Sequence, residues 1–128
     1  MTASIEHEER TAIKIIVAFE KDFRAYQSTL VATFGILRPD AKVVTAEPEK
    51  LRAVAKRFEP DIVIGGQFKY EDLLGVPAWI QLSLDSAHST KVRMDGHYSE
   101  ISNPTLDKLL AIIEQVAQLT RTNDLVDD

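Results

Sequence analysis

The chain has 128 residues, of which 45% are apolar and 27% charged, and this composition predicts one soluble globular domain that buries roughly two-thirds of its unfolded surface. A net charge of −5 argues against the basic face that nucleic-acid binding needs, and the absence of cysteine excludes disulfides, thiolate metal sites and a cysteine nucleophile. No apolar run approaches the ~20 residues of a membrane-spanning helix, and the acidic N-terminus lacks the apolar core of a secretion signal, so we expect a cytoplasmic protein without a membrane partner.

Residues 12–20 predict the central strand of the fold. Apart from Lys14, this stretch is continuously apolar as far as Phe19 and is rich in β-branched residues. It has neither helical spacing nor regular alternation, so both of its faces are expected to be buried. Such a strand is typical of a parallel sheet that is covered by helices on both sides.

Two helices alternate with the next two strands. The first is predicted after the charged turn at residues 20–22 and before Pro39, with a stripe of apolar side chains at Phe23, Tyr26, Leu30, Phe34 and Leu37. A short strand at 42–46 precedes a second helix, which Pro48 opens and Pro60 ends. The buried face of that helix is predicted at Leu51, Val54, Ala55 and Phe58. A third strand at 61–64 completes a pattern of right-handed crossovers.

The pattern changes after Gly66. Residues 78–84 predict a fourth strand, and the loop at 85–89 is too short to hold a crossover helix. A β-hairpin is predicted at 91–101, because Asp95-Gly96 supplies the positive φ angles of a tight turn, and Pro104 begins a last helix. We therefore predict a three-layer α/β fold with a mostly parallel sheet in the order 2-1-3-4, flanked by helices and followed by a hairpin and a final helix. The expected organisation is a polar lead-in at 1–11, one domain at 12–121 and an acidic tail at 122–128.

Polar residues follow several of the predicted strands. In open parallel sheets, ligands bind beyond the carboxyl ends of the strands. The candidate ligand-binding residues are Glu20, Lys21, Asp22, Gly66, Gln67, Ser83 and Asp85. They can form a metal or phosphate site, or they can simply be the polar residues that helix caps and strand ends routinely carry. No metal ligand and no cofactor is assigned.

The common catalytic motifs are absent. No glycine-rich dinucleotide fingerprint follows the first strand, and neither a P-loop nor a Gly-x-Ser-x-Gly elbow occurs. The three histidines are far apart in sequence, so no catalytic residue is assigned. Trp79 and Tyr70 are expected either to pack in the core or to line a pocket.

Residues 12–66, with the phrase Glu59-Pro60-Asp61-Ile62-Val63-Ile64, resemble the receiver domain of bacterial response regulators, which has a flavodoxin-like fold. In that family, a pair of acidic residues ends the first strand and holds magnesium, and an aspartate ends the third strand and accepts phosphate. In this sequence Phe19-Glu20 occupies the position of the acidic pair, and Gly66 occupies the position of the phosphoacceptor aspartate. Ser83 can match the hydroxyl residue at the end of the family's fourth strand.

The resemblance implies a pseudo-receiver that has lost phosphotransfer. Its expected function is that of a non-catalytic regulatory module in signalling, acting through contacts with a protein partner or as a homodimer. The alternative is an independent α/β domain that binds a small molecule, a phosphate or a metal at the carboxyl ends of its strands.

The last helix provides a separate hint of self-association. Its apolar arc is wider than one side of a sheet requires, and Ile112 and Leu119 lie off the main stripe. If they face water in the monomer, they mark a dimer interface. The competing expectation is that the hairpin at 91–101 folds over them within one chain.

Overall fold

The computed structural model describes residues 12–83, 88–102 and 104–126, with side chains described as far as Leu119. The strands are β1 (Lys14–Ala18), β2 (Lys42–Thr45), β3 (Ile62–Gly65), β4 (Ala78–Gln81), β5 (Thr90–Met94) and β6 (His97–Ile101). The α-helices are α1 (Arg24–Leu37), α2 (Leu51–Phe58) and α3 (Leu106–Val126). Short 3₁₀ turns lie at Lys21–Phe23, Pro48–Lys50 and Tyr70–Leu73.

All six strands form one sheet in the order β2-β1-β3-β4-β5-β6. The pairs β1–β2, β1–β3 and β3–β4 are parallel, whereas β4–β5 and β5–β6 are antiparallel. The expected α/β class is confirmed, but the sheet as a whole is mixed. The short connection from β4 to β5 explains this, because a parallel return needs a crossover of a dozen or more residues.

Strand β1 is buried on both faces after Lys14, as its otherwise apolar sequence predicts. Its odd-numbered apolar residues pack with α1 and α3, and Ile16 and Ala18 pack with α2 and the 3₁₀ turn at Tyr70–Leu73. Ile15, Ile16, Val17 and Ala18 have no exposed surface. Each fully buried Ile or Val side chain contributes about 1.5–3 kcal/mol to stability, so this strand anchors both halves of the core.

The apolar stripe of α1 is narrower than the sequence predicts. Leu30 and Phe34 are buried, but Phe23 and Leu37 are 37% and 50% exposed. Phe23 lies in the 3₁₀ turn before the helix, where it is out of phase with the helical face. The buried face predicted for α2 is confirmed at Leu51 and Ala55, and that helix ends where Glu59 takes a left-handed φ of 52° before Pro60.

The predicted hairpin is confirmed as β5 and β6. Met94 pairs with His97 across a two-residue turn, in which Asp95 and Gly96 have φ angles of 52° and 80°. These are the positive angles that the right-handed twist of a tight hairpin requires.

Exposure and burial within one chain were both open expectations for Ile112, and the structure shows burial. Ile112 is only 5% exposed and belongs to the core with Leu109, Ile113 and Val116, whereas Leu119 is half-buried. Ile112 is therefore not free to form an interface in the folded chain. The helix continues to Val126. Within the part of the chain that the structure describes, no helix is both long and apolar enough to cross a bilayer.

Candidate functional site

A cleft of about 490 Å³ lies at the carboxyl ends of β1, β3 and β4. We call it the carboxyl-end cleft. Four of the predicted site residues meet there, because each follows one of these strands: Glu20, Gly66, Gln67 and Ser83. This is the edge at which open parallel sheets bind their ligands.

The other three predicted residues do not join this cleft. Lys21 lines a separate cleft of about 400 Å³ between the ends of β1 and β2, with Glu47 and Lys50. Asp22 is exposed on its 3₁₀ turn and lines neither cleft. Asp85 lies outside the residues that the structure describes.

Two glycines lie at the carboxyl end of β3, and the second of them, Gly66, lines the carboxyl-end cleft. A Cβ atom placed on Gly65 would lie 2.3 Å from the carbonyl oxygen of Ala18, so the close pairing of β1 and β3 requires glycine there. A Cβ atom on Gly66 would lie 3.2 Å from the Phe19 ring and 4.0 Å from Oε1 of Glu20. The absence of a side chain at Gly66 therefore leaves the space beside the Glu20 carboxylate open.

The antiparallel strand β5 supplies the second wall of the cleft. Because β5 runs back along β4, its first residues reach the edge where the parallel strands end, and His88, Ser89 and Lys91 line the cleft. The backbone N–H of Ser83 donates a hydrogen bond of 3.1 Å to Oγ1 of the buried Thr90. That bond fixes the end of β4 against the start of β5.

Side-chain hydrogen bonds hold two residues of the cleft lining, Gln81 and Ser89, in place. The hydroxyl of Tyr70 donates to Oε1 of Gln81 at 3.4 Å, and Gln81 lines the cleft opposite Lys91 in the β4–β5 register. The Ser89 hydroxyl donates to Oε1 of Glu100. This bond, followed by the bond from the Tyr98 hydroxyl, lowers the pKa of Glu100, which lies on β6 opposite Lys91 of β5.

The cleft therefore combines charged, polar and apolar groups. Glu20 supplies a carboxylate and Lys91 an ammonium group, while Phe23 and Leu82 supply apolar surface. In the described ranges, no group of three or more His, Asp or Glu side chains is arranged to hold a metal ion. Calcium and magnesium ions are bound mainly through oxygen ligands, and Glu20 supplies the one carboxylate among the described residues that line this cleft.

Sequence reasoning did not place Phe23, Gln81, His88, Ser89 and Lys91 in the site. The short loop after β4 could have indicated His88, Ser89 and Lys91. Because this loop is too short for a crossover, the chain must return antiparallel, and its next strand begins at the edge of the sheet where β4 ends. Phe23 was assigned to the core stripe of α1, and its position in a 3₁₀ turn has no clear sequence signal.

Further grooves lie elsewhere on the described surface. One of about 620 Å³ lies at the amino end of β3, where Arg52 Nε and Asp72 Oδ1 are 3.1 Å apart and pair with each other. Another, of about 450 Å³, is lined by Tyr70, Trp79 and Tyr98. Trp79 is only 6% exposed and stacks on Tyr70 with ring centroids 5.0 Å apart, so it is both a core residue and the floor of that groove.

No protein-family model matches the chain, and neither curated proteins nor solved structures show a significant similarity to it. The resemblance of residues 12–66 to receiver domains therefore stays a prediction from the sequence. The function has to be argued from the geometry of the clefts.

Proposed function

We propose that this chain is a non-catalytic binding domain that holds a small polar molecule in the carboxyl-end cleft. The observation that carries the proposal is the convergence of Glu20, Gln67 and Ser83 from three parallel strands with Lys91 from β5 in one cleft. A cleft of this volume falls in the range of small-molecule sites, which are about 300–1,000 Å³.

The charges of the cleft favour a particular class of ligand. Lys91 attracts a carboxylate or phosphate group, whereas Glu20 accepts a hydrogen bond from a hydroxyl or amino group. Gln67 and Gln81 can both donate and accept hydrogen bonds, and Phe23 offers an apolar wall. The proposed ligand is therefore a compact anion that also carries a hydroxyl or amino group.

The experiment is a thermal-shift screen with inorganic phosphate, serine, glutamate and adenosine monophosphate, followed by isothermal titration of each compound that raises Tm. We expect at least one of the organic probes to bind more tightly than inorganic phosphate. Lys91→Ala and Gln67→Ala should each weaken binding at least about tenfold, equivalent to about 1.4 kcal/mol.

The matched control is Lys108→Ala, which removes an exposed ammonium group from α3 without touching the cleft. It should leave the affinity unchanged. A screen in which no probe raises Tm, or an equal loss of affinity in Lys91→Ala and Lys108→Ala, would refute the proposal.

A second proposal is a regulatory module that acts through protein contacts, as the receiver resemblance implies. It is supported by the parallel arrangement β2-β1-β3-β4, with Glu20 and Gly66 at the ends of neighbouring strands. Large apolar side chains on the surface, such as Ile36 at 77% and Leu74 at 83% exposure, also support it. The two proposals are compatible, because ligand binding can regulate a protein contact.

A further inference from the structure

Strand β6 forms one edge of the sheet, and its outer side pairs with no other strand in the described ranges. Residues that flank a two-residue hairpin turn form a hydrogen-bonded pair, and such pairs alternate along the ladder. Since Met94 pairs with His97, the backbone groups of His97, Ser99 and Ile101 point to β5. The N–H and C=O groups of Tyr98 and Glu100 therefore point outward from the sheet.

This edge carries few of the features that usually block strand addition. Protected edges carry charged side chains, especially lysine, or proline or a bulge, or they are very short or covered by another segment. β6 contains neither lysine nor proline, its five residues pair with β5 without a bulge, and Glu100 is its one carboxylate. At the opposite edge, β2 has four residues and begins with Lys42. Of the two edge strands in the described ranges, β6 is therefore the more open.

We propose that two copies of this chain pair through β6, antiparallel about a two-fold axis at Ser99. In that register, Tyr98 lies opposite Glu100 of the second copy, and the outward N–H and C=O groups of both residues form four backbone hydrogen bonds. Ser99 lies opposite Ser99 of the second copy, and His97 opposite Ile101. The inference goes beyond the proposed function and does not depend on it.

The side chains of β6 are self-complementary in this arrangement. Within one chain, the Tyr98 hydroxyl already bonds to Oε2 of Glu100 at 3.2 Å, so the two groups are a suitable hydrogen-bonding pair across the axis as well. No two like charges lie directly opposite each other in this register, although the two Glu100 carboxylates are diagonal neighbours across the axis. Tyr98 is 52% exposed in the single chain, and part of its ring becomes covered in the pair.

The two-fold register also limits the assembly to a dimer. If β6 paired with β2 of another copy, a free sheet edge would remain at each end and copies could add without limit. Pairing of β6 with β6 uses both edges and gives a closed dimer. An interface of two five-residue strands falls below the ~1,200 Å² of a stable complex, so the dimer is expected to be weak. The structure thus moves the expected interface from Ile112 to β6, because Ile112 is buried in the core.

Sedimentation equilibrium of the full chain, from about 10 µM to about 1 mM, tests the proposal. We expect a concentration-dependent dimer. Ser99→Lys and Ser99→Glu should each weaken it by up to about fivefold, because the substituted side chains face their own copies across the axis. Mixing these two variants in equal amounts should restore association as a heterodimer. Ser102→Lys, which adds the same charge at an exposed position just after β6, is the matched control and should dimerise like the original chain.

Far-UV circular dichroism and Tm check that each variant folds, and the exposed position of Ser99 makes unfolding unexpected. A monomer at the highest concentration would overturn the proposal. So would a mixture of the Ser99→Lys and Ser99→Glu variants that stays monomeric, because no other register brings residue 99 against itself. Loss of small-molecule binding would leave this result unchanged, so the two proposals fail separately.

Discussion

Gly65 faces the backbone of Ala18 so closely that a Cβ atom on Gly65 would lie 2.3 Å from the Ala18 carbonyl oxygen. Because both strands are central and buried, neither can shift to relieve this contact. Gly65→Ala is therefore expected to lower the free energy of unfolding by more than about 2 kcal/mol, measured by urea denaturation.

Gly35→Ala provides the control for that substitution. Gly35 lies in α1, and among the described residues no atom outside its own stretch of helix lies within 4 Å of a Cβ placed on it. Alanine should therefore raise the free energy of unfolding by about 0.5–1 kcal/mol, because it has the higher helix propensity. A Gly65→Ala variant that is as stable as the original chain would contradict the close pairing of β1 and β3 at their carboxyl ends.

Arg38 connects the end of α1 to α3. Its guanidinium bonds to Asp40 and to Glu114, and its side chain is only 12% exposed. The hydrogen bond to Asp40, with that to Glu114, raises the pKa of Arg38, so the cation persists at any accessible pH. Glu114→Gln should lower the free energy of unfolding by about 0.5–1 kcal/mol in urea denaturation, and less in high salt.

The control for Glu114→Gln is Glu49→Gln, which neutralises an exposed carboxylate on the 3₁₀ turn before α2. It should change stability by less than about 0.5 kcal/mol. Equal effects of the two substitutions would show that the Arg38–Glu114 contact does not hold the helices together.

The pKa of Glu100 is expected to rise when Ser89 is replaced by alanine. The hydrogen bond from Ser89 is the largest cause of the lowered pKa, and the bond from Tyr98 is the next. Since the folded-state pKa lies below the unfolded one, the stabilisation is present above the unfolded pKa and is lost as the pH falls through the folded value. A carbon-13 NMR titration of the carboxyl group should show a larger rise for Ser89→Ala than for Tyr98→Phe. An unchanged pKa in Ser89→Ala would contradict the hydrogen bond.

Phosphoryl transfer provides a direct test of the pseudo-receiver interpretation. Gly66 has no nucleophile at the end of β3, and Glu20 alone is a poor magnesium site. Incubation with acetyl phosphate and magnesium should leave the intact mass unchanged. A magnesium-dependent, base-labile phosphoryl group would show that another side chain accepts phosphate.

The sequence predicts the parallel half of the fold because burial leaves a simple pattern there. Residues 15–19 and 62–64 are apolar throughout, and the structure buries both segments on two faces. The Asp95-Gly96 turn is equally predictable, since few residue pairs adopt two positive φ angles. These features depend on local chemistry, which a single sequence shows directly.

Long-range packing was harder to predict. The apolar spacing of α3 does not tell which side chains the sheet covers, and Ile112 is buried by tertiary contacts. For the same reason, only part of the cleft lining could be predicted. The ends of β1 and β4 identify Glu20 and Ser83, whereas Lys91 reaches the cleft only because β5 runs antiparallel to β4.

The central claim is that the carboxyl-end cleft binds a small polar anion, and amide chemical-shift mapping by two-dimensional NMR tests it most directly. The chain is titrated with serine and with adenosine monophosphate up to about 10 mM, which is sufficient to detect millimolar affinity. We predict saturable shifts at Gly66, Gln67, Ser83 and Lys91. The absence of saturable shifts with either probe, or shifts confined to Arg52 and Asp72 in the groove at the amino end of β3, would contradict the claim.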